Sequence, residues 1–460
     1  MAESKSEKPK IYVPDTNVLI LDAEAINNFK EHDVYLHGAV LEELDNLKRK
    51  SGTEHDARQA IGHVDNYAER GWFSEGVPTP GGGKLFVNFT LDEEFSSLPV
   101  GLEKNNDNRI ILLAKRLQKE YPDRQVVFVT NDIKPRATAN ACKILAEPYK
   151  HGRVDKLYSG ARTINLDDKA ADLIDALYRN KSISAKEIFS ASTKVRRGSL
   201  FPNQCCYLNA GEKFALAVYE KNADTFALVQ WSKGKTHTKI VPKDAEQHFA
   251  YHLLTNKKID LVTLAGPAGT GKTLVAVWAG YEQLENGYDQ MLIFRPTYEL
   301  GKPMGFLKGY LDQKFEPWTI PIIDAFERML DLDKLPKGSG DKKNRQGIRN
   351  WIKDYIDMGL LEILPINYIQ GRNLHKKFVI VDETQNFTKE EMKMIITRAG
   401  EGTKMVLTGD PEQVANPFID ERSNGLTQVI NEFKNCENYG HITMTKTKRS
   451  RLAEWAAKLL

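Results

Sequence analysis

Eight consecutive residues, Gly266, Pro267, Ala268, Gly269, Thr270, Gly271, Lys272 and Thr273, carry the spacing G-x-x-x-x-G-K-[ST] of a phosphate-cradling loop. Glycines let the backbone turn tightly so that its N–H groups face phosphate oxygens. Lys272 is expected to reach the β- and γ-phosphates of ATP, and the Thr273 hydroxyl to ligate Mg²⁺. Further along, the apolar run Phe378 to Val381 ends in Asp382-Glu383. Asp382 is expected to hold the magnesium ion and Glu383 to orient the attacking water. Thr408-Gly409-Asp410 closes a third apolar run, and Gln413 comes next as a candidate sensor of the γ-phosphate. Gln247, ahead of the loop and just before the helix-like stretch His248 to Leu254, is a candidate for reading adenine by paired hydrogen bonds; a plain surface glutamine is the alternative.

A second set of residues lies in the first third of the chain. Asp15 and Asp132 each fall directly after a short apolar run, KIYVP and QVVFV. Glu43 and Asp107 fall near helix starts, and Glu42 is a rival to Glu43. Clustered carboxylates repel unless a cation neutralises them, and hard oxygen ligands suit Mg²⁺ or Mn²⁺. Such a set is suited to metal-assisted phosphodiester cleavage. Taken singly, each acid reads more readily as structural, Asp107 as a helix N-cap and Asp15 and Asp132 as turn residues, and the set of four shifts the balance.

Both sets need scaffolds that bring separate strand ends together. Apolar strands alternate with amphipathic helices such as Arg109 to Glu120, which predicts α/β architecture with parallel sheets. Functional groups on such sheets gather at the carboxyl ends of strands. Ile259 to Ala265 reads as the strand before the phosphate loop and Thr273 to Leu284 as the helix after it. The loop is thus expected at a helix N-terminus, which favours anions. Gly76 to Lys84, with three consecutive glycines, reads as a flexible linker within the first domain. Leu166 to Arg179 reads as an amphipathic helix, and Phe214 to Tyr219 with Thr225 to Gln230 as a β-hairpin.

The 460 residues suffice for two or three domains, and the net charge is unevenly spread: −5 over residues 1–149, +6 over 150–250 and +2 over 251–460. That division suggests three units: 1–150, a basic middle 151–245, and 246–460. The middle carries Lys194, Arg196, Arg197, Lys233, Lys235 and Lys239 near Tyr219 and Trp231, a composition for single-stranded nucleic acid or for a solvated connector. No apolar run approaches a membrane span, and the polar opening MAESKSEKPK reads as a frayed arm rather than a signal peptide. Cys142, Cys205, Cys206 and Cys436 have neither zinc nor disulfide-framework spacing, which points to reduced thiols and a cytoplasmic protein.

The segments VPDTNVL, LEEL, DNRIILLA and VTND, in that order, resemble the four signature segments of PIN-domain ribonucleases. The resemblance implies a metal-dependent nuclease site at Asp15, Glu43, Asp107 and Asp132, with Asn17 in support. From residue 246 onward the chain resembles the PhoH family of ATPases, related to superfamily 1 helicases. The resemblance rests on Arg295 to Phe326, on YIQGR at 368–372 and on TGDPEQ at 408–413. Lys308 stands where that family commonly has proline, and Gln370 where it commonly has arginine. The joint resemblance implies a PIN-like parallel-sheet domain, a small basic β-containing unit, and a P-loop ATPase domain of RecA/helicase-like fold. It implies ATP-linked unwinding and cleavage of single-stranded RNA, and a homo-oligomer, by family resemblance a hexamer. Arg449 matches the terminal-motif arginine and is expected to reach a neighbouring subunit's ATP. Two alternatives remain at this point: a PIN-like unit that binds RNA without cutting it, and an ATP-dependent remodeller of protein partners.

Overall fold

The computed structural model describes residues 8–49, 54–99, 102–149, 154, 156–192, 194–231, 238–296, 311–330, 345–416 and 419–447. Contacts divide the chain into two compact units, Met1–Arg153 and Val154–Leu460.

The first unit is built on six strands: β1 (Ile11–Pro14), β2 (Asp33–His37), β3 (Val77–Pro78), β4 (Lys84–Asn88), β5 (Val126–Val129) and β6 (Leu145–Glu147). Their order is β3-β4-β2-β1-β5-β6, parallel throughout except for the β3–β4 pair. Every residue of β5 is buried, as expected of a strand covered on both faces. The helix Asn106–Glu120 lays Ile110, Leu113 and Leu117 into this core. The chain runs outward from β1 to β2 and β4, then returns to the other side of β1 as β5. The direction of winding therefore changes between β1 and β5, and that crevice is where α/β sheets place their sites.

The glycine segment departs from the linker expected of it. It holds β3 and a closed turn, with Thr79 N donating to Gly83 O at 2.8 Å. A Cβ on Gly83 would stand 1.9 Å from His32 O, so this glycine serves close backbone packing.

The second unit opens with a smaller sheet: β7 (Ala161–Asn165), β8 (Ser182–Ser184), β9 (Gln204–Ala210), β10 (Lys213–Glu220) and β11 (Thr225–Leu228), in the order β7-β9-β10-β11-β8. The expected hairpin is β10–β11, paired antiparallel. The expected helix begins later than Leu166, at Ala171, after a 3₁₀ turn over Asp168–Ala170. This sheet shares a core with the helix Ala245–Thr255: Cys205 and Val218 are buried in one cluster with Phe249 and Leu253. Asn203 Nδ2 also donates to Glu437 O and Tyr439 O at 2.7 and 2.8 Å.

The second sheet of this unit comprises β12 (Leu261–Ala265), β13 (Gln290–Arg295), β14 (Leu361–Pro365), β15 (Lys377–Val381), β16 (Lys404–Gly409) and β17 (Tyr439–Thr443). Its order is β14-β13-β15-β16-β12-β17, all parallel. The phosphate loop leaves β12, the Asp382-Glu383 pair leaves β15, and β16 lies between them. The helix Lys272–Leu284 comes directly after the loop and is buried from Val275 to Gln283.

Candidate active sites

The phosphate loop has the backbone its glycines promise. Gly266 has φ +136°, and a Cβ there would stand 2.0 Å from Met444 O. Gly271 caps the next helix with φ +96°. Lys272 Nζ lies over the loop and donates to Gly266 O at 2.5 Å and Pro267 O at 3.0 Å. Thr270 is buried, its hydroxyl donating to Pro267 O. Gly269 also has positive φ, and Pro267 and Ala268 complete the turn.

Asp382 sits at the centre of the second strand end. Its Oδ1 accepts from Thr273 Oγ1 at 3.2 Å and from Thr408 Oγ1 at 2.5 Å, and its Oδ2 faces Arg295 Nε at 3.3 Å. The side chain is 5% exposed. A buried carboxylate needs such compensation, and the guanidinium at the end of β13 supplies it. Glu383 has φ +57°, a left-handed conformation uncommon outside glycine. Gln385 Nε2 donates to Glu383 Oε2 at 2.7 Å and to Gln413 O at 3.1 Å, while Asp410 N donates to Gln385 Oε1 at 3.0 Å. Glu383, Asp410 and Gln413 are thereby joined through one buried amide. Motif spacing assigns no role to Arg295, Thr408 or Gln385, although Arg295 and Thr408 lie within the two most recognisable segments.

Gln247 is inside the helix Ala245–Thr255 rather than before one. Asp244 caps that helix by accepting from Gln247 N, which moves its start three residues earlier than the apolar pattern suggests. The Gln247 amide accepts from Lys243 N at 2.9 Å and donates to Thr270 O at 3.1 Å. It braces the phosphate loop, and pairing with adenine would require it to exchange those bonds. The neighbouring Glu246 accepts from Thr445 N, Thr445 Oγ1 and Lys446 N, holding the chain beyond β17. Arg449 lies outside the described residues, as do Lys233, Lys235 and Lys308.

In the first unit, Asp15 comes after β1 and Asp132 after β5, its paired neighbour. Asp15 is buried; its Oδ1 accepts from Thr16 N at 2.7 Å and its Oδ2 from Thr130 Oγ1 at 2.8 Å. Glu43 Oε2 accepts from Thr16 Oγ1 at 2.8 Å, whereas Glu42 is exposed. Asn17 Nδ2 donates to Asp132 Oδ2 at 2.7 Å. Asp107 does not open its helix: Asn105 is the cap, and Asp107 lies in the first turn. Burial, then the charges of Asp107 and Glu43, raise the Asp15 carboxyl to about 7. Burial, then Asp132, raise that of Asp107. Asp15 thus feels Asp107 and Glu43, and Asp107 feels Asp132. As they stand, no three His, Cys, Asp or Glu side chains among the described residues are placed to hold one ion together. The donor chemistry, all carboxylate oxygen under mutual repulsion, nevertheless fits a hard divalent cation.

The fold and the two strand-end sites define a PIN domain followed by a P-loop ATPase domain. Family models agree: a PIN domain matches residues 12–150 and the PhoH-like protein model matches 239–460. Protein PhoH2 of Bacillus subtilis strain 168 is 34% identical over 98% of this chain and 100% of its own length. Protein PhoH2 of Mycolicibacterium smegmatis is 30% identical over 98% of this chain and 97% of its own. The chain belongs to the PhoH2 family. Among the described residues no helix is long and apolar enough to cross a membrane.

Proposed function

We propose that this protein couples ATP hydrolysis in its PhoH domain to metal-dependent endonucleolytic cleavage of single-stranded RNA in its PIN domain. The observation that carries the nuclease half is the convergence of Asp15, Glu43, Asp107 and Asp132 on the β1/β5 edge, with Asp15 raised to about 7 by burial and its acidic neighbours. A buried carboxyl raised in this way beside other acids is a candidate functional group, and its oxygen donors suit a hard cation. Asp15, Glu43, Asp107 and Asp132 would hold Mg²⁺ or Mn²⁺, which when bound supplies positive charge to the scissile phosphodiester. Thr16 and Thr130 fix the Asp15 oxygens, and Asn17 fixes Asp132. An unstacked strand suits a site open at a sheet edge.

In the ATPase half, Lys272 binds the β- and γ-phosphates, and Thr273 with Asp382 would hold the magnesium ion of the nucleotide. Glu383 orients the attacking water, with Gln385 fixing its carboxylate. Gln413, tied to the same amide through its main chain, reports the γ-phosphate; Gln247 braces the loop and exchanges those bonds for the adenine when nucleotide binds. Arg449 completes a neighbouring subunit's site in a homo-oligomer, a hexamer on this reading, and the protein works in the cytoplasm. ATP turnover moves or opens RNA and delivers single strands to the acid cluster.

The test is ATP hydrolysis and cleavage of a labelled RNA measured on one preparation, each with Mg²⁺, Mn²⁺ or EDTA. RNA-stimulated ATPase activity and metal-dependent cleavage are expected. ATPase activity without cleavage under any metal would remove the nuclease half.

A further inference from the structure

The carboxyl edge of the first sheet carries more than acids. β4, β2 and β1 are neighbours, with Asn88 in register with His37. Continuing the β1–β2 register from Tyr12 and Val34 puts Asp15 opposite His37. Phe89 comes directly after Asn88, so it leaves the same edge as Asp15, two strands away, roughly 10 Å at the usual inter-strand spacing. Phe89 is 68% exposed, a large apolar ring left in water.

The ring is nevertheless held. A Cβ on Gly38 would stand 2.1 Å from Phe89 Cε1 and 2.5 Å from Cδ1. The ring therefore rests on the Gly38 backbone, at a place only glycine leaves open. The His37 ring meets it edge-on, with centroids 6.4 Å apart. Its carbonyl is fastened, with Arg116 Nη1 donating to Phe89 O at 2.9 Å, and the next side chain is too, Thr90 Oγ1 bonding His37 Nε2 at 2.9 Å. His37 Nδ1 in turn accepts from Ala39 N. An exposed phenylalanine serving only as core would turn its ring inward. This one is held against Gly38 and His37 yet leaves most of its surface in solvent.

We propose that Phe89 is a stacking platform for a base of single-stranded RNA, placed to hold the strand beside the Asp15–Asp132 edge. A base has a π-face whatever its identity, so the platform favours single strands without choosing sequence. It rests on the RNA-cleaving reading of the PIN domain and adds to it the element that would hold the substrate. Two guanidiniums lie nearby, Arg109 paired with Asp92 at 2.7 Å and Arg116 with Glu94 at 3.4 Å; after burial, their charges also depress the His37 imidazole.

The test uses full-length protein and a single-stranded RNA containing 2-aminopurine, whose fluorescence falls on stacking. Binding is measured with Asp15→Asn protein in the presence of Mg²⁺, so that cleavage is not needed for the readout. Cleavage is measured separately with otherwise wild-type protein. Phe89→Ala should abolish the quench and weaken binding roughly 5- to 100-fold, as loss of one stacked base does. Phe89→Trp should keep both, and Gly38→Ala, which displaces the ring, should behave like Phe89→Ala. The cleavage KM should rise in Phe89→Ala with kcat changed less, while a circular dichroism spectrum and thermal melt matching the unsubstituted chain report a folded PIN domain. Cleavage with unchanged KM and unchanged quench in Phe89→Ala overturns the platform and leaves the nuclease standing. Neither binding nor cleavage in the unsubstituted chain overturns both. Binding and quench without cleavage supports the platform and removes the nuclease.

Discussion

Thr273 Oγ1 stands 3.2 Å from Asp382 Oδ1, although the two residues are 109 positions apart. One hydroxyl and one carboxylate, each expected on a magnesium ion, are thus already joined by the pairing of β12, β16 and β15. Thr408, from the strand between, bonds the same carboxylate oxygen. The order of the sheet therefore brings these groups together.

Lys272→Ala should abolish ATP hydrolysis, because its ammonium supplies the charge on the β- and γ-phosphates. Cleavage of an unstructured oligonucleotide should remain within about two-fold of wild type. A folded variant that loses both activities would show that the two domains do not act separately.

Asp15→Asn and Asp107→Asn keep side-chain size and remove charge. Each should lower RNA cleavage by orders of magnitude. ATPase activity in the same preparations should change little. Wild-type cleavage in both variants would sink the acid site.

Lys404 opens β16 and is buried, its ammonium donating to the carbonyls of Leu253, Asn256 and Ile259. Burial lowers its pKa from the usual 10.5 to about 7, against an opposing pull from Asp260. Between about pH 7 and 10 the unfolded chain then binds more protons than the folded one, so this group makes stability rise with pH across that window. Lys404→Met removes the group. In urea unfolding, the stability of wild type relative to Lys404→Met should rise from pH 7 to pH 9.5 by on the order of 1 kcal/mol, since the three carbonyls favour the charged form and hold back part of the drop. A difference that stays constant with pH would show that Lys404 remains charged throughout.

Arg449→Ala should bind ATP yet fail to hydrolyse it, because a guanidinium stabilises the charge of the phosphoryl transition state. Mixing this variant with Lys272→Ala protein should restore part of the activity, since some interfaces then pair an intact loop with an intact arginine. Subunit exchange is confirmed by mass spectrometry of differently tagged chains. Confirmed exchange without recovery would reject an arginine supplied by a neighbour.

Much of both sites is readable along the chain because the chemistry there is local. A phosphate loop needs glycines, a lysine and a hydroxyl within eight residues, and Gly266 to Thr273 show them in order. Asp15, Asp132 and Asp382 each come after an apolar strand, and parallel sheets put such residues on one edge. Whether Glu42 or Glu43 joins the acids is not local. Helical geometry alone allows either, and the contact of Glu43 with Thr16 selects it. The helix start at Asp244 escapes the apolar pattern because an N-cap precedes the repeat rather than belonging to it. The three glycines at 81–83 suggest freedom when read alone. Packed against Lys30 and His32, Gly81 and Gly83 are where two backbones touch.

The sequence by itself determined which chemistry-bearing residues come after the strands and the alternation of strands and helices that carries them, since both depend on residue type and short-range spacing. Tertiary structure decided which partners hold those groups. Arg295 neutralises Asp382, Gln385 joins Glu383 to Asp410 and Gln413, and Gln247 braces the phosphate loop. Phe89 lies on Gly38, 51 positions away in the chain, for the same reason. Each of these contacts depends on which strands are neighbours, and strand order is set by the packing of the whole sheet rather than by any single segment.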